Sequence, residues 1–180
     1  RCIDNEAIGT QQFIDTINRV ADTLKVDRFT LAGNSMGGGA AWAYALAHPE
    51  RLDGLVLVDS GGWPRDEEEA ESRPMIFRLL EVAPARRILR DLDMTPLIRD
   101  GLKDSFGDPS FVSDEMVERY ASLSRAPCHR EALLQLTSGR GERREASPEL
   151  LSAIRVPTLV MHGEVDNLIP AAHGEAFAAA

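Results

Sequence analysis

The chain has 180 residues, of which 43% are hydrophobic and 27% charged, and its formal net charge is -9. This composition predicts a globular protein of one domain or slightly more and argues against a disordered chain. The acidic balance includes no block of lysines or arginines, so nucleic acid and anionic membrane surfaces are not expected partners. No apolar run approaches the roughly 18 residues that a transmembrane helix needs, and we expect no membrane span.

The two cysteines, Cys2 and Cys128, lie in no pairing or metal-binding pattern. They are interpreted as free thiols, which favours a reducing compartment and a cytoplasmic location. Because the chain opens on Arg1 rather than on methionine, we expect the native N-terminus to lie upstream. A targeting segment is therefore left open.

The first pattern in chain order is an amphipathic helix over residues 9–24. Its apolar side chains recur at helical spacing: Phe13, Ile14, Ile17, Val20, Ala21 and Leu24. Polar residues occupy the other positions, so one face of the helix is expected to pack on a core.

The next segment predicts a strand, a sharp turn and a helix. An apolar run, Phe29–Gly33, leads into Gly-Asn-Ser-Met-Gly with Ser35 at the apex, and the alanine-rich stretch 40–47 follows. The pattern G-x-S-x-G in this context is typical of a nucleophile elbow, with Gly33 and Gly37 leaving room for the strained turn. The backbone N–H of Met36, at the positive end of the helix, would face a developing oxyanion.

A second strand is predicted after the stop His48-Pro49. The stretch 52–59 is almost entirely apolar, with Leu55–Asp59 as its clearest part. Continuous rather than alternating apolarity indicates burial on both faces, as in a parallel sheet.

Residues 65–147 show short helical patterns that indicate a helical insertion. One helix is expected to begin at an N-cap, Ser113, and another to run from His129 to Thr137. Prolines separate the patterns: Pro74, Pro84, Pro96, Pro109 and Pro127. Apolar side chains could roof a pocket, although packing onto the body explains them equally well: Met75, Ile76, Phe77, Leu79, Leu80, Phe106 and Phe111.

Sheet character returns at Val156 to His162, after a helix start at Ser147-Pro148. The following loop carries Asp166 and leads into another helix. This segment resembles the part of α/β-hydrolases in which a late strand ends in a loop bearing the acid of the catalytic triad. Together with the elbow, it makes the whole chain similar to a serine-nucleophile α/β-hydrolase with a helical cap.

The resemblance implies an α/β protein with a partial α/β-hydrolase fold, an internal fragment running from about the fifth to the seventh strand of the family. Three parallel strands would be present, the middle one central, with core segments 1–64 and 148–180 flanking a cap at 65–147. The outer strands would expose apolar edges, so the chain alone is expected to be poorly soluble.

The resemblance also implies site residues. Ser35 would be the nucleophile, Asp166 the residue that orients the histidine, and the Met36 N–H one oxyanion donor. The family's catalytic histidine follows a later strand, so we expect it to be absent from this chain. The four histidines present are poor substitutes: His48, His129, His162 and His173. The chain alone is expected to be inactive or nearly so.

A serine rather than an aspartate at the apex argues against carboxylate-nucleophile chemistry. The resemblance implies hydrolysis of an ester or related small, largely apolar substrate by acyl transfer. The elbow sequence also resembles that of meta-cleavage-product hydrolases, which cleave carbon–carbon bonds, and a non-catalytic binding protein of this fold is a further alternative. No cofactor and no metal are expected, and the sequence indicates no oligomeric state.

One competing motif is D-x-D-x-T at Asp91 to Thr95, which matches a magnesium-dependent phosphatase signature. That chemistry needs the first aspartate at the end of a buried strand. The preceding segment 86–90 contains three arginines, so a buried strand is not expected there.

Overall fold

The computed structural model describes residues 8–67, 69, 93–136 and 142–180. The chain forms two compact units. The sheet unit comprises residues 9–66 and 143–180, and the helical unit comprises residues 1–8 and 67–142. The division into core segments 1–64 and 148–180 around a cap at 65–147 stays a prediction.

The sheet unit contains three parallel strands, β1 (Phe29–Asn34), β2 (Leu52–Val58) and β3 (Thr158–Met161), in the order β1-β2-β3. The predicted central position of the middle strand is confirmed. Its apolar side chains are buried, with Leu52, Leu55 and Leu57 at most 2% exposed. In the register, Asn34 lies beside Val58 and Val58 beside Met161, so all three carboxyl ends meet at one edge of the sheet.

Most of the helices follow the predicted patterns with small shifts at their ends, but the helix over residues 95–105 was not predicted. In chain order they are α1 (Thr10–Thr23), α2 (Met36–Ala47), a 3-10 turn (Pro49–Arg51), α3 (Thr95–Ser105), a 3-10 turn (Pro109–Phe111), α4 (Asp114–Arg125), α5 (His129–Leu136), α6 (Pro148–Leu151) and α7 (Ala171–Ala179). The predicted start at Ser147 is confirmed, because its side chain accepts a hydrogen bond from the Leu150 N–H at 3.2 Å.

Helix α2 is the most deeply buried element of the sheet unit. Residues 40–45 are all buried, and Trp42 and Tyr44 are 1% and 0% exposed. Alanines between these aromatic residues keep the helix narrow, so its backbone approaches the sheet closely. The buried cluster joins α2 to α1, β2 and α7 through Ile14, Leu55 and Phe177.

Arg51 fixes the connection between α1 and β1. Its guanidinium donates to the carboxylate of Asp22 at 2.9 Å and to the backbone carbonyls of Asp27 and Val26 at 2.8 and 2.9 Å. In the same connection Lys25 has φ +57°, the left-handed conformation that commonly ends a helix. These contacts fix where β1 begins. The position of β1 in turn determines where Ser35, which directly follows this strand, is located.

In the helical unit, the predicted N-cap of α4 is confirmed, since the Ser113 hydroxyl accepts from the Met116 N–H at 3.1 Å. Arg99 of α3 pairs with Asp114 of α4 at 2.6 Å. Val117 and Ala121 of α4 are each 1% exposed. Of the apolar residues proposed as a pocket roof, Phe111 is 67% exposed, and residues 75–80 lie outside the described part of the chain.

The interpretation of both cysteines as free thiols is wrong for Cys128, which is disulfide-bonded. Cys2 lies outside the described residues. A disulfide between cysteines distant in sequence leaves no spacing pattern, which is why the sequence did not indicate it. The argument from free thiols for a reducing compartment therefore no longer applies. Among the described residues, no helix has the length and apolarity needed to cross a bilayer.

Candidate active site

Ser35 lies at the apex of the turn between β1 and α2 with φ +53° and ψ -118°. Positive φ is uncommon for residues other than glycine and persists only where neighbouring structure enforces it. Here the Ser35 N–H donates to the Val58 carbonyl at 2.9 Å, and its own carbonyl accepts from the N–H groups of Gly39 at 3.2 Å and Gly61 at 2.8 Å. The end of β2, the segment after it and the first turn of α2 together hold the strained residue.

The Ser35 hydroxyl is not used to cap α2. Serine in the N-cap position normally accepts a hydrogen bond from the first turn, but its backbone must then be extended. Ser35 is left-handed instead, and its side chain makes no capping bond. The Met36 N–H is one of the first-turn amides that have no acceptor within the helix, and the helix dipole favours negative charge beside it.

Two glycines are explained by close packing around this turn. A Cβ on Gly33 would lie 2.2 Å from the Gly37 carbonyl oxygen, and one on Gly38 would lie 2.6 Å from Ser60 Oγ. Gly37 differs, because a Cβ there would meet no described atom within 4 Å. The steric requirement therefore falls on Gly33 and on Gly38, of which the motif singles out only Gly33.

Asp166 lies in the loop after β3 with a side chain that is 15% exposed. Its Oδ1 accepts from the backbone N–H groups of Leu168 at 2.7 Å and Ile169 at 3.0 Å. The loop turns tightly here, since the Asp166 N–H donates to the Gly163 carbonyl at 3.3 Å. These bonds orient the carboxylate and leave Oδ2 on its other side, 3.8 Å from His162 Nε2.

His162 follows β3 directly and is almost completely buried, with its side chain 8% exposed. Its Nε2 lies 2.9 Å from the Ile169 carbonyl, and because a carbonyl only accepts, we assign the proton to Nε2. Nδ1 has no hydrogen-bond partner among the described residues and faces Gly174, where a Cβ would lie 2.7 Å away. The imidazole is thus packed between the loop that carries Asp166 and helix α7.

Asp59 is the site residue that sequence reasoning missed. It follows β2, has φ +44°, and its Oδ1 accepts from the Gly163 N–H at 2.7 Å. Its Oδ2 lies 3.4 Å from Asn34 Nδ2 and its Oδ1 4.0 Å from His162 Nε2. A usable signal existed, because an aspartate directly after a buried parallel strand lies at the edge where sites form in α/β sheets.

Asp59, His162 and Asp166 form a compact group whose candidate ligand atoms lie within 4.8 Å of one another. Two carboxylates and an imidazole are suitable ligand types for a metal. Histidine coordinates through an unprotonated nitrogen, however, and the Nε2 that faces both carboxylates donates its proton to Ile169. The group therefore does not fit a metal site.

The remaining histidines have their own surroundings. His48 Nε2 accepts from Asn18 Nδ2 at 2.7 Å, and its ring packs on Tyr44 with centroids 5.0 Å apart. His173 lies in α7 and is 4% exposed. His129 begins α5 of the helical unit. The location of the catalytic histidine outside this chain stays a prediction.

A family model described as the alpha/beta hydrolase fold matches residues 4–180. A 2-hydroxy-6-oxo-6-phenylhexa-2,4-dienoate hydrolase from Burkholderia cepacia is 29% identical over 163 residues, covering 88% of this chain and 53% of the relative. A 2-hydroxymuconate semialdehyde hydrolase from Pseudomonas sp. strain CF600 is 31% identical over 163 residues, covering 88% and 52%. The chain spans about half the length of these curated relatives.

Solved structures agree on the fold. A meta-cleavage product hydrolase from Pseudomonas fluorescens superposes with a TM-score of 0.77 at 23% identity, covering 99% of this chain and 62% of that one. A thermophilic esterase from Thermogutta terrifontis gives a TM-score of 0.69 at 24% identity, covering 98% and 62%. With the strand–serine–helix turn and the parallel sheet described above, these matches show that the chain belongs to the α/β-hydrolase fold family.

Proposed function

We propose that this chain carries the nucleophile and the acid of a serine hydrolase, with Ser35 attacking the substrate and Asp166 orienting the histidine. The observation that carries the proposal is the left-handed backbone of Ser35 between β1 and α2. A serine held in this way, with its hydroxyl released from helix capping, presents Oγ to a substrate above the strand ends. The similarity to relatives that are named as hydrolases supports the same class of reaction.

The chemistry proceeds by addition and elimination at a carbonyl carbon. A histidine base takes the Ser35 proton, Oγ forms a bond to the carbonyl carbon, and the leaving group departs with that proton. Water then cleaves the acyl-serine and restores the hydroxyl. The Met36 N–H donates to the oxyanion, and one such donor is typically worth about 3 kcal/mol in the transition state.

Asp166 suits the orienting role because its two oxygens have different surroundings. Oδ1 is occupied by the N–H groups of Leu168 and Ile169. Oδ2 lies 3.8 Å from His162 Nε2, beyond hydrogen-bond distance, and can accept from the Nδ1–H of a histidine. The backbone amides fix the carboxylate, which in turn would fix the tautomer of the base.

The substrate proposed first is a small, largely apolar ester. Carbon–carbon bond hydrolysis is the second candidate, and the names of the curated relatives favour it, since they describe hydrolases of a phenylhexadienoate and of a muconate semialdehyde. Both reactions include nucleophilic attack on a carbonyl carbon. A third candidate, a binding protein that keeps the fold without catalysis, predicts an unreactive Ser35.

Active-site labelling tests the proposal. The protein would be expressed from its native coding sequence with any flanking residues and treated with a fluorophosphonate probe. We expect labelling of Ser35, none in Ser35→Ala, and a rate lower by about 10³ to 10⁴ in Asp166→Asn if Asp166 fixes the tautomer. The control is Ser152→Ala, which replaces an exposed serine that follows α6. A folded protein with an unlabelled Ser35 would favour the binding protein.

The two hydrolytic candidates are separated by substrate. Turnover of p-nitrophenyl butyrate would be compared with that of 2-hydroxy-6-oxo-6-phenylhexa-2,4-dienoate, the substrate in the name of one relative. A higher kcat/KM for the dienoate in the labelled protein would establish the carbon–carbon reaction. A higher value for the ester would establish the esterase.

A further inference from the structure

We infer that Asp59 is a positioning residue that couples the nucleophile turn to the acid loop, through Asn34 on one side and Gly163 on the other. The inference rests on the proposed roles of Ser35 and Asp166. It concerns a residue at the end of β2, which itself is neither the nucleophile nor the acid. Its effect on the reaction would pass through the backbone that carries those two residues.

Asp59 directly follows the central strand of the sheet. β2 is the central strand, so the residue that follows it has the ends of both β1 and β3 as neighbours. The Asp59 N–H donates to the Met161 carbonyl at 2.9 Å, which continues the β2–β3 pairing by one residue. The side chain is therefore fixed at the point where all three strands end.

The carboxylate of Asp59 contacts both functional segments. Oδ1 accepts from the Gly163 N–H at 2.7 Å, and Oδ2 lies 3.4 Å from Asn34 Nδ2. Asn34 directly precedes Ser35, and its amide also donates to the Val58 carbonyl at 3.3 Å. Gly163 accepts from the Asp166 N–H at 3.3 Å. A shift of Asp59 would therefore move the supports of Ser35 and of Asp166 together.

The backbones of Asp59 and Ser35 are both strained. Asp59 has φ +44° and Ser35 has φ +53°, and they follow neighbouring strands of the same sheet. Aspartate tolerates positive φ better than most residues do. The conformation still persists only where the surrounding structure enforces it. Strained residues gather at functional sites, where the geometry is part of the mechanism. The bonds from Gly163 and to Met161 hold Asp59 in place.

The chemistry of the contacts explains why an aspartate occupies this position. A carboxylate accepts through both oxygens and carries no donor, which matches the Gly163 N–H and the Asn34 amide on its two sides. An asparagine keeps one accepting oxygen but turns an NH2 group toward the other donor. It would retain one of the two contacts, so the asparagine variant is expected to fall between wild type and alanine.

The test measures Ser35 reactivity for each folded molecule, in protein expressed from its native coding sequence with any flanking residues. We expect the fluorophosphonate labelling rate to fall about tenfold in Asp59→Ala and about threefold in Asp59→Asn, since small misplacements of catalytic groups cost rate steeply. With a turned-over substrate, kcat should fall and KM should stay within about twofold, because the link does not contact substrate.

Asp53→Ala is the matched control. Asp53 lies on the same strand at its opposite end, and its carboxylate pairs with Arg28 at 2.7 Å on the surface. We expect its labelling rate to remain within about twofold of wild type, as for a surface substitution. Asn34→Ala removes the elbow side of the link alone and should slow labelling by about threefold. If Asp59→Ala does not fold, Asp59→Asn and Asn34→Ala decide the question.

Amide hydrogen exchange at Gly163 gives a readout that does not depend on activity. Exchange should accelerate in Asp59→Ala and stay close to wild type in Asp59→Asn, because asparagine can still accept that bond. Unchanged labelling and unchanged exchange in a folded Asp59→Ala would overturn the inference. An unlabelled wild type would instead overturn the proposed function. In that case, faster exchange at Gly163 in Asp59→Ala would still support the link between the two segments. Unchanged exchange at Gly163 would overturn the link as well.

Discussion

A Cβ on Gly33 would lie 2.2 Å from the carbonyl oxygen of Gly37, so the backbone at the end of β1 packs directly against the backbone of the first turn of α2. Gly33→Ala should therefore be severely destabilising, by about 3 kcal/mol or more, because the clashing atom belongs to a fixed main chain. The free energy of unfolding in urea measures this loss of stability.

Gly37→Ala is the control, since a Cβ there meets no described atom within 4 Å. It should be neutral or stabilising by up to about 1 kcal/mol, as for glycine in a helix. Equal losses in both variants would contradict the packing argument.

Local pattern was enough to predict the elements that carry this site. The apolar run before Ser35 and the alanines after it indicate strand and helix, and the unbroken apolar stretch 52–59 indicates a central strand. The ends of these elements were predicted less accurately. Helix α2 begins at Met36, ahead of the alanine-rich stretch, although Gly37, Gly38 and Gly39 are poor helix formers. Packing of this turn against the segment after β2 outweighs their low propensity.

The contacts between strand ends could not be predicted from local pattern. Asp59 approaches Asn34 and Gly163 only because the parallel register aligns the ends of three strands that are far apart in sequence. The same reason explains why Gly38 rather than Gly37 is limited by Ser60. The disulfide at Cys128 belongs to this class as well. Each depends on tertiary position, which periodicity and spacing do not contain.

Tyr44 should make the protein sensitive to alkaline pH. Its hydroxyl donates to Asn18 Oδ1 at 2.6 Å, and burial raises the pKa of the phenol above its ordinary value of 10.0. Above pH 10.0 the unfolded chain loses this proton first, so the free energy of unfolding should fall as pH rises through the folded-state pKa. Below that range the contribution is complete. Chemical denaturation between pH 8 and pH 11, an interval of about three units around the reference pKa, measures the slope.

The variant Tyr44→Phe should flatten that alkaline slope while lowering stability at neutral pH by about 1 kcal/mol through the lost hydrogen bond. Tyr120→Phe is the control, because Tyr120 is 52% exposed and its removal should leave the slope unchanged. If Tyr44→Phe and wild type lose stability in parallel above pH 10.0, the buried phenol is not the cause.

Gly174 should be intolerant of a side chain because of His162. A Cβ on Gly174 would lie 2.7 Å from Nδ1 of the buried imidazole. Gly174→Ala is expected to cost about 1–3 kcal/mol, as for overpacking in a core. His162→Ala alone loses the bond to Ile169 and leaves a cavity, but it removes the clashing ring. The double variant should therefore be more stable than the sum of the two losses predicts, by about 1 kcal/mol.

Gly101→Ala is the matched control for this cycle, since Gly101 also lies within a helix and a Cβ there meets no described atom within 4 Å. It should be neutral or slightly stabilising, in keeping with the helix propensity of alanine. Strict additivity of Gly174→Ala and His162→Ala would mean that the imidazole moves aside freely. The acid loop would then not be held by that contact.

The isolated 180-residue chain should self-associate through β3. Leu159 and Met161 are 54% and 50% exposed on one face of this strand, while Val160 lines a cleft of about 320 Å³ together with Leu55 and Phe177. Within the described residues β3 pairs only with β2, which leaves its other edge unpaired. Unpaired edges next to exposed apolar side chains promote association.

Light scattering as a function of protein concentration measures this self-association, and Leu159→Lys should reduce it by placing a charge on the strand. The control Val20→Lys changes an equally exposed residue, 53%, on α1 and should leave association unchanged. A chain that stays monomeric and melts in one sharp transition would show that this face is not adhesive.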